Sequence, residues 1–169
     1  VRSGELSTLI NKAEKKLWKI PSSGATVTIS DIVKKIKSNP NYMVHIGTDS
    51  HRNKGSKDHS HIFATVICLY EPGKGATYYY KRIIDKTKYE SINQRMIAEA
   101  SLSINTSLSI MDHISLSRIV VHSDTNSDSR FPTYKSTQII RSWVKSLGCK
   151  FRCKPEAWAS SSVADWHSK

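Results

Sequence analysis

The sequence is poor in acidic residues, in cysteines and in long apolar runs. Its 169 residues contain 14 Asp and Glu against 26 Lys and Arg, so the formal charge is +12. The longest apolar runs, such as Ile119–Val121, are far shorter than the roughly 18–20 residues of a membrane-spanning helix. Three cysteines (Cys68, Cys149 and Cys153) do not make a disulfide framework. We therefore expect a cytoplasmic protein without a secretory signal or a membrane partner.

The excess of positive charge favours polyanionic partners, meaning nucleic acid or an anionic membrane. The alternative is a soluble protein whose helices carry lysine-rich exposed faces. Hydrophobic residues make up 38% of the chain, which is enough for a core. A chain of this length buries roughly two-thirds of its unfolded surface, so one domain with a short appendage is expected.

The first 26 residues are predicted to form an N-terminal helical extension. Apolar residues recur at helical spacing from Leu6 to Trp18, and Pro21 with the Ser22–Gly24 stretch ends the helix. A second helix is predicted near residues 29–36, where Thr28 or Ser30 can act as its N-cap. It precedes the first strand of the domain that we assign to residues 27–169.

The rest of the chain predicts an α/β fold with a mixed five-stranded sheet and helices on both faces. Three antiparallel strands come first, and strands then alternate with helices. The predicted strands are 42–49, 61–70, 76–84, 118–122 and 149–154, and the predicted helices are 90–111, 134–147 and 158–167.

Four acidic residues occupy positions that suit a shared site. Asp49 and Asp124 are predicted to end two apolar strands, where ligands of such sheets bind. Glu99 lies beside the apolar stripe of the long helix, and Asp165 lies on the last helix. Four clustered carboxylates would repel one another, and a divalent cation such as Mg²⁺ relieves this repulsion. For each acid alone, a loop-facing charge or a helix cap is the alternative interpretation.

Three short motifs contain three of these acids. The first is Ile46–Ser50 (IGTDS), and the second is His122–Asn126 (HSDTN) followed by Tyr134–Ser136. The third combines Lys154–Ala159 (KPEAWA) with Ser161–Asp165 (SSVAD) and Lys169. These motifs resemble those of the ribonuclease H superfamily, and more closely those of the YkuK family of predicted ribonuclease H-like nucleases. The resemblance covers about residues 27–169.

The resemblance implies a nuclease that holds two Mg²⁺ or Mn²⁺ ions. Asp49 would bridge both ions, Glu99 and Asp124 would hold one, and Asp165 would hold the other. It further implies hydrolysis that leaves a 3′-hydroxyl and a 5′-phosphate, on the RNA strand of a hybrid, on single-stranded RNA or on branched DNA. Asp128, in an altered loop after the third acid, is a rival or auxiliary ligand.

Candidate substrate-binding residues lie in the same motifs and in the basic stretch between them. Residues 129–155 contain seven Lys or Arg and no acid, which suits contacts to phosphate. The candidates are Ser50, Asn126, Lys135, Lys154 and Lys169. Because a basic surface can bind nucleic acid without cleaving it, a binding module with little or no catalysis is the second hypothesis, and junction resolution is a third.

Two further patterns give weaker predictions. Four histidines between residues 45 and 61, or Cys149 with Cys153, could bind zinc, but neither set has four ligands at a familiar spacing. Tyr78, Tyr79 and Tyr80 alternate along a strand, so some of these rings belong to the core and others could stack on bases.

Overall fold

The computed structural model describes residues 3–169 as a seven-stranded mixed sheet with helices on both faces. The helices are α1 (Ser3–Glu14), α2 (Ile29–Lys37), α3 (Ile92–Met111), α4 (Tyr134–Ser146) and α5 (Asp165–Ser168). The strands are β1 (Trp18–Lys19), β2 (Thr26–Val27), β3 (Met43–Arg52), β4 (His61–Glu71), β5 (Gly75–Asp85), β6 (Ile119–Asn126) and β7 (Lys150–Lys154). A 3₁₀ turn at Leu116–Arg118 precedes β6, and a π-helical segment at Ala159–Ala164 precedes α5.

The strand order β2-β1-β5-β4-β3-β6-β7 contains the predicted meander followed by parallel strands. β3, β4 and β5 pair antiparallel, and β6 pairs parallel with both β3 and β7. Local sequence fixes several boundaries. Thr28 and Asp31 form a capping box at α2, and Gly148, with φ of +84°, lies just past α4.

The prediction of five strands was wrong, because residues after α1 add two short strands. The helix ends at Glu14, and Trp18–Lys19 pairs with Thr26–Val27 around a turn that contains Gly24 at φ of +69°. Lys19 pairs with Tyr80, which attaches this hairpin to the edge of β5. Trp18 becomes buried in the core, so its apolar side chain serves a strand and not the predicted helix.

Asp49 and Asp124 lie inside strands and do not end them, which corrects the prediction. β3 continues through the polar residues Ser50–Arg52 because β4 provides hydrogen-bonding partners as far as Arg52 opposite His61. β6 likewise extends to Asn126. Hydrogen bonds to the neighbouring strand therefore keep these segments in the sheet although their residues are polar.

The two faces of the sheet are covered by different parts of the chain. Helices α1 to α4 pack on one face, where Ile46, Phe63 and Val121 are buried. The π-helical segment and α5 pack on the opposite face, against Val66 and Cys68. The last helix was predicted as one element over residues 158–167, but its first part has the wider π-helical turn.

Histidines hold the C-terminal segment onto the sheet. His45 Nδ1 lies 2.8 Å from His122 Nε2, and both rings contact Trp158. The backbone N–H of Ala159 donates to His122 Nδ1 at 3.2 Å. The three cysteines are buried and free. Every helix within residues 3–169 is too short or too polar to cross a membrane.

Candidate metal centre

Three of the four predicted acids meet at one cavity. A cavity of about 350 Å³ opens where β3, β6 and α5 come together, and Asp49, Asp124 and Asp165 line it. Lys154 and Arg95 also line it, so the acidic centre has a basic margin.

Asp49 projects from β3 toward the C-terminal segment. Its side chain is buried, with 5% of the residue exposed. Its Oδ2 accepts a hydrogen bond of 2.8 Å from the Ser168 hydroxyl and lies 3.2 Å from His51 Nδ1. These contacts join the strand to α5 and leave the carboxylate facing the cavity.

His51 lies between two of the aspartates, although the sequence analysis considered it only as a zinc ligand. Its Nε2 lies 3.5 Å from Asp165 Oδ1, while its Nδ1 faces Asp49. Ligand atoms of Asp49, His51 and Asp165 lie within 4.8 Å of one another. The signal for His51 was its spacing, because residues two apart on a strand share a face.

Lysines neutralise the two outer aspartates. Lys154 Nζ lies 3.1 Å from Asp124 Oδ2, and Lys169 Nζ lies 2.6 Å from Asp165 Oδ2. The second oxygen of Asp124, Oδ1, is buried without a hydrogen-bond partner among the described residues. A buried carboxylate oxygen without a partner is costly, and a bound cation would satisfy it.

Glu99 lies behind the cavity and does not line it. It is 3% exposed in the middle of α3, and its Oε1 accepts a hydrogen bond of 2.6 Å from Ser50 Oγ. Arg95 Nη1 donates to the Ser50 carbonyl at 2.6 Å and to Ser50 Oγ at 3.2 Å. Arg95 was missed by the sequence analysis, although it stands one turn before Glu99 on the same helix.

Burial raises the pKa of three of the four carboxyl groups, those of Glu99, Asp49 and Asp124. The pKa of Glu99 lies well above its usual value because the group is buried and is close to Asp49. The pKa values of Asp49 and Asp124 are also raised, first by burial and then by neighbouring acids that include Asp165 in both cases. A cation would relieve this repulsion and favour the ionised forms.

The residues present fit a divalent cation. Oxygen ligands from aspartate are the type that Mg²⁺ and Mn²⁺ prefer, and the imidazole of His51 also suits Mn²⁺. The buried Asp124 oxygen without a partner supports this fit, and a bound cation would lower the raised pKa of Asp49. Within residues 3–169, three metal-ligand atoms come together only at Asp49, His51 and Asp165, so the four histidines between residues 45 and 61 do not form the zinc site that was considered.

The cavity includes only one of the remaining predicted residues, which are the substrate candidates Asn126 and Lys135 and the auxiliary ligand candidate Asp128. Asn126 lines the cavity, but its Oδ1 accepts from the Asp128 N–H at 2.9 Å and shapes the following loop. Asp128 is paired with Arg130, which lowers the pKa of Asp128, and it does not line the cavity. Lys135 is exposed on α4 and does not line the cavity either.

The stacking role considered for the tyrosine run is restricted by packing. Tyr79 packs against the main core. The Tyr80 ring already stacks on His167, with centroids 3.7 Å apart, and the Tyr78 hydroxyl lies 3.0 Å from His167 Nε2. These rings therefore anchor α5.

Comparison with protein families identifies the class of this chain. A family model described as Ribonuclease H-like matches residues 27–169, so the chain belongs to the ribonuclease H-like family. Searches against curated proteins and against solved structures gave no match. The family supports a nuclease-type function, a nucleic-acid substrate and the use of divalent metal ions.

Proposed function

We propose that the protein is a divalent-metal-dependent nuclease of the YkuK family that hydrolyses phosphodiester bonds by a two-metal mechanism. The observation that carries the proposal is the convergence of Asp49, Asp124 and Asp165 on one cavity with a basic margin. Its preferred substrate is RNA or the RNA strand of an RNA/DNA hybrid, and its ions are Mg²⁺ or Mn²⁺.

Each acidic residue of the site has a proposed role in holding the ions. Asp49 would be the shared ligand, because Asp124 and Asp165 both act on its carboxylate electrostatically. Glu99 and Asp124 would hold one ion, and Asp165 would hold the other. His51, between Asp49 and Asp165, is an additional candidate ligand. When bound, the ions supply neutralisation of the phosphate charge and activation of water.

Lys154 and Lys169 bind substrate phosphate in this proposal. In the structure each lysine pairs with an aspartate of the site, Asp124 or Asp165. With a divalent ion bound, neither aspartate would need its lysine, and both ammonium groups would be available for the phosphates that flank the scissile bond. Ser50 and Arg95 act as positioning residues, because Ser50 donates a hydrogen bond to Glu99 and Arg95 donates to Ser50.

The experiment is a cleavage assay on labelled single-stranded RNA, hybrid and duplex DNA with Mg²⁺ or Mn²⁺. Replacing Asp49 by Asn removes the central charge, and we expect a loss of at least about a hundredfold in rate. Asp112→Asn is the matched control, because Asp112 is exposed at the far end of α3. Cleavage that survives Asp49→Asn, or that resists a chelator, overturns the proposal.

One observation favours a second candidate, a nucleic-acid-binding module with little or no catalysis. Glu99 accepts a hydrogen bond from Ser50 and does not line the cavity, so one predicted ligand lies apart from the other three. Salt-dependent binding without metal-dependent cleavage of any of the substrates would support this candidate.

A further inference from the structure

A second basic cavity lies at the edge of the sheet, away from the carboxylates. It measures about 510 Å³ and lies between the end of α1, β1 and β5. Five of its ten lining residues are Lys or Arg, and none is acidic. We call it the edge groove. Its residues Lys12, Lys16 and Lys19 precede residue 27, so the family match does not include them.

The strand register connects the edge groove to the metal centre. His51 of the metal centre pairs with Ile62 on β4, and Ile62 pairs with Ile84 on β5. Directly paired residues point to the same face, so these three side chains form one row across the sheet. At about 4.8 Å per strand, the row leads from His51 to the edge groove in roughly 10 Å.

The adjacent row is covered, which leaves the isoleucine row as the open route. Asp49 pairs with Ala64, and Ala64 pairs with Arg82, but Ala64 is fully buried. By contrast Ile62 is half-buried, and Ile84 is 46% exposed beside Arg82. A nucleic-acid strand that extends from the metal centre along this row would therefore cross an apolar surface before it reaches the basic residues of the edge groove.

Some of the basic groups are already engaged, and others are free. Lys81 is buried, donates to the Ala13 carbonyl at 2.9 Å and lies 4.2 Å from the Trp18 ring centroid. Lys12 donates to the Ile84 carbonyl. The exposed side chains of Lys16, Lys19 and Arg82 have no hydrogen bond or ion pair to residues 3–169.

We propose that the edge groove binds the backbone of the same single-stranded nucleic acid that the metal centre cleaves. Lys16, Lys19 and Arg82 hold its phosphates, while Ile62 and Ile84 contact its sugars and bases. A positive groove with apolar contacts suits a single strand without sequence preference. This inference rests on the proposed function, because it assigns the groove to the substrate of that site.

The test measures binding and cleavage separately. The groove variant Lys16→Gln/Lys19→Gln is compared with Lys35→Gln/Lys37→Gln. The latter removes the same charge from exposed positions on α2, which packs on the face of the sheet opposite the metal centre. Binding of a labelled, unstructured RNA of about 16 nucleotides is followed by fluorescence anisotropy in chelator, across a salt series. Cleavage of a short strand, a dinucleotide whose single phosphodiester is the scissile one, is measured with Mn²⁺.

The expected result has two parts. The groove variant binds the long strand roughly tenfold more weakly, and the slope of log K against log salt becomes shallower by about 1.4, at about 0.7 per lost phosphate contact. The short strand, which does not reach the groove, is cleaved at the wild-type rate. The α2 variant binds the long strand as the wild type does.

Three outcomes overturn the inference. They are an unchanged affinity and slope in the groove variant, an equal loss in the α2 variant, and binding to anionic vesicles without binding to RNA. If the wild type cleaves nothing while the groove variant still loses RNA binding, the proposed catalysis fails and the groove remains a nucleic-acid contact. The two failures are therefore distinguishable.

Discussion

The backbone of Gly47 lies directly against Ser160, with no room for a side chain between them. A β carbon at position 47 would lie 2.6 Å from Ser160 Oγ and 2.7 Å from its backbone nitrogen. Ser160 is fully buried, and its hydroxyl donates to the His122 carbonyl at 3.0 Å. Because Ser160 belongs to the segment that leads into α5, this contact sets the position of Asp165 relative to Asp49.

Gly47→Ala is therefore expected to displace the C-terminal segment. Overpacking of this kind costs about 1–3 kcal/mol, which urea unfolding in chelator measures. Mn²⁺ affinity, measured by titration calorimetry, should fall as well because Asp165 moves. Gly55→Ala is the control, since its nearest neighbour would be at an ordinary 3.6 Å. A Gly47→Ala protein with wild-type stability and Mn²⁺ affinity would show that the contact does not position Asp165.

His51 should make the metal centre prefer Mn²⁺ over Mg²⁺. Its ring nitrogens face Asp49 and Asp165, and imidazole is a better ligand for Mn²⁺ than for Mg²⁺. We expect His51→Gln to weaken Mn²⁺ binding about tenfold and to change Mg²⁺ binding much less. Pulsed electron paramagnetic resonance of the Mn²⁺ protein should show a nitrogen coupling that the variant lacks.

His59→Gln is the matched control for His51→Gln, because His59 is an exposed residue that does not line the cavity. If His51→Gln weakens both ions equally, or if the nitrogen coupling persists, His51 is not a ligand. The first result would leave His51 a role in positioning Asp49 through Ser168, from which its Nδ1 lies 2.7 Å.

The parts of the fold that the sequence predicted are those with strong periodic patterns. The strand of residues 61–70 and the long helix of residues 90–111 differ from the observed β4 and α3 by two residues or fewer at each end. The β1–β2 hairpin was missed because each strand has only two residues, too few to show an alternation. The extension of β3 past Asp49 depends on β4, which lies beside it only in the folded chain.

The candidate site shows the same contrast. Residues that local sequence motifs mark were predicted, and contacts that depend on packing between distant elements were not. Motif spacing indicated Asp49, Asp124 and Asp165, and the structure brings them to one cavity. The withdrawal of Glu99 behind Ser50 depends on how α3 packs on β3, which no local pattern encodes. The four acids remain predicted ligands.

Glu99 should destabilise the metal-free protein near neutral pH. Its pKa is raised in the folded state by burial and by Asp49, so the unfolded chain releases this proton first as pH rises. The free energy of unfolding then falls by up to about 1.4 kcal/mol per pH unit above the unfolded pKa of about 4.3, until the folded carboxyl ionises. Glu99→Gln removes this pH-dependent loss of stability, because an amide does not titrate. The amide oxygen can still accept the hydrogen bond from Ser50 Oγ.

Urea unfolding in chelator from pH 4 to pH 7 measures this effect. The stability of Glu99→Gln relative to wild type should increase with pH, and Mn²⁺ should stabilise the wild type more than the variant. The exposed Glu90→Gln serves as the control and should follow the wild type. A constant difference between Glu99→Gln and wild type across this range contradicts the prediction.

His45 should make the protein sensitive to acid. Burial, with Arg152 and Lys150 nearby, lowers the pKa of His45 to about 4. The unfolded chain therefore takes up this proton first as pH falls below about 6.5, and stability is lost at about 1.4 kcal/mol per pH unit until pH reaches the folded value. His45→Gln should lower stability at pH 7, because the contact with His122 is altered, yet make the decline between pH 6.5 and pH 4 shallower by that amount.

Urea unfolding in chelator measures both effects, with the exposed His113→Gln as the control. An unchanged slope in His45→Gln would mean that His45 is not held neutral by its burial against the C-terminal segment.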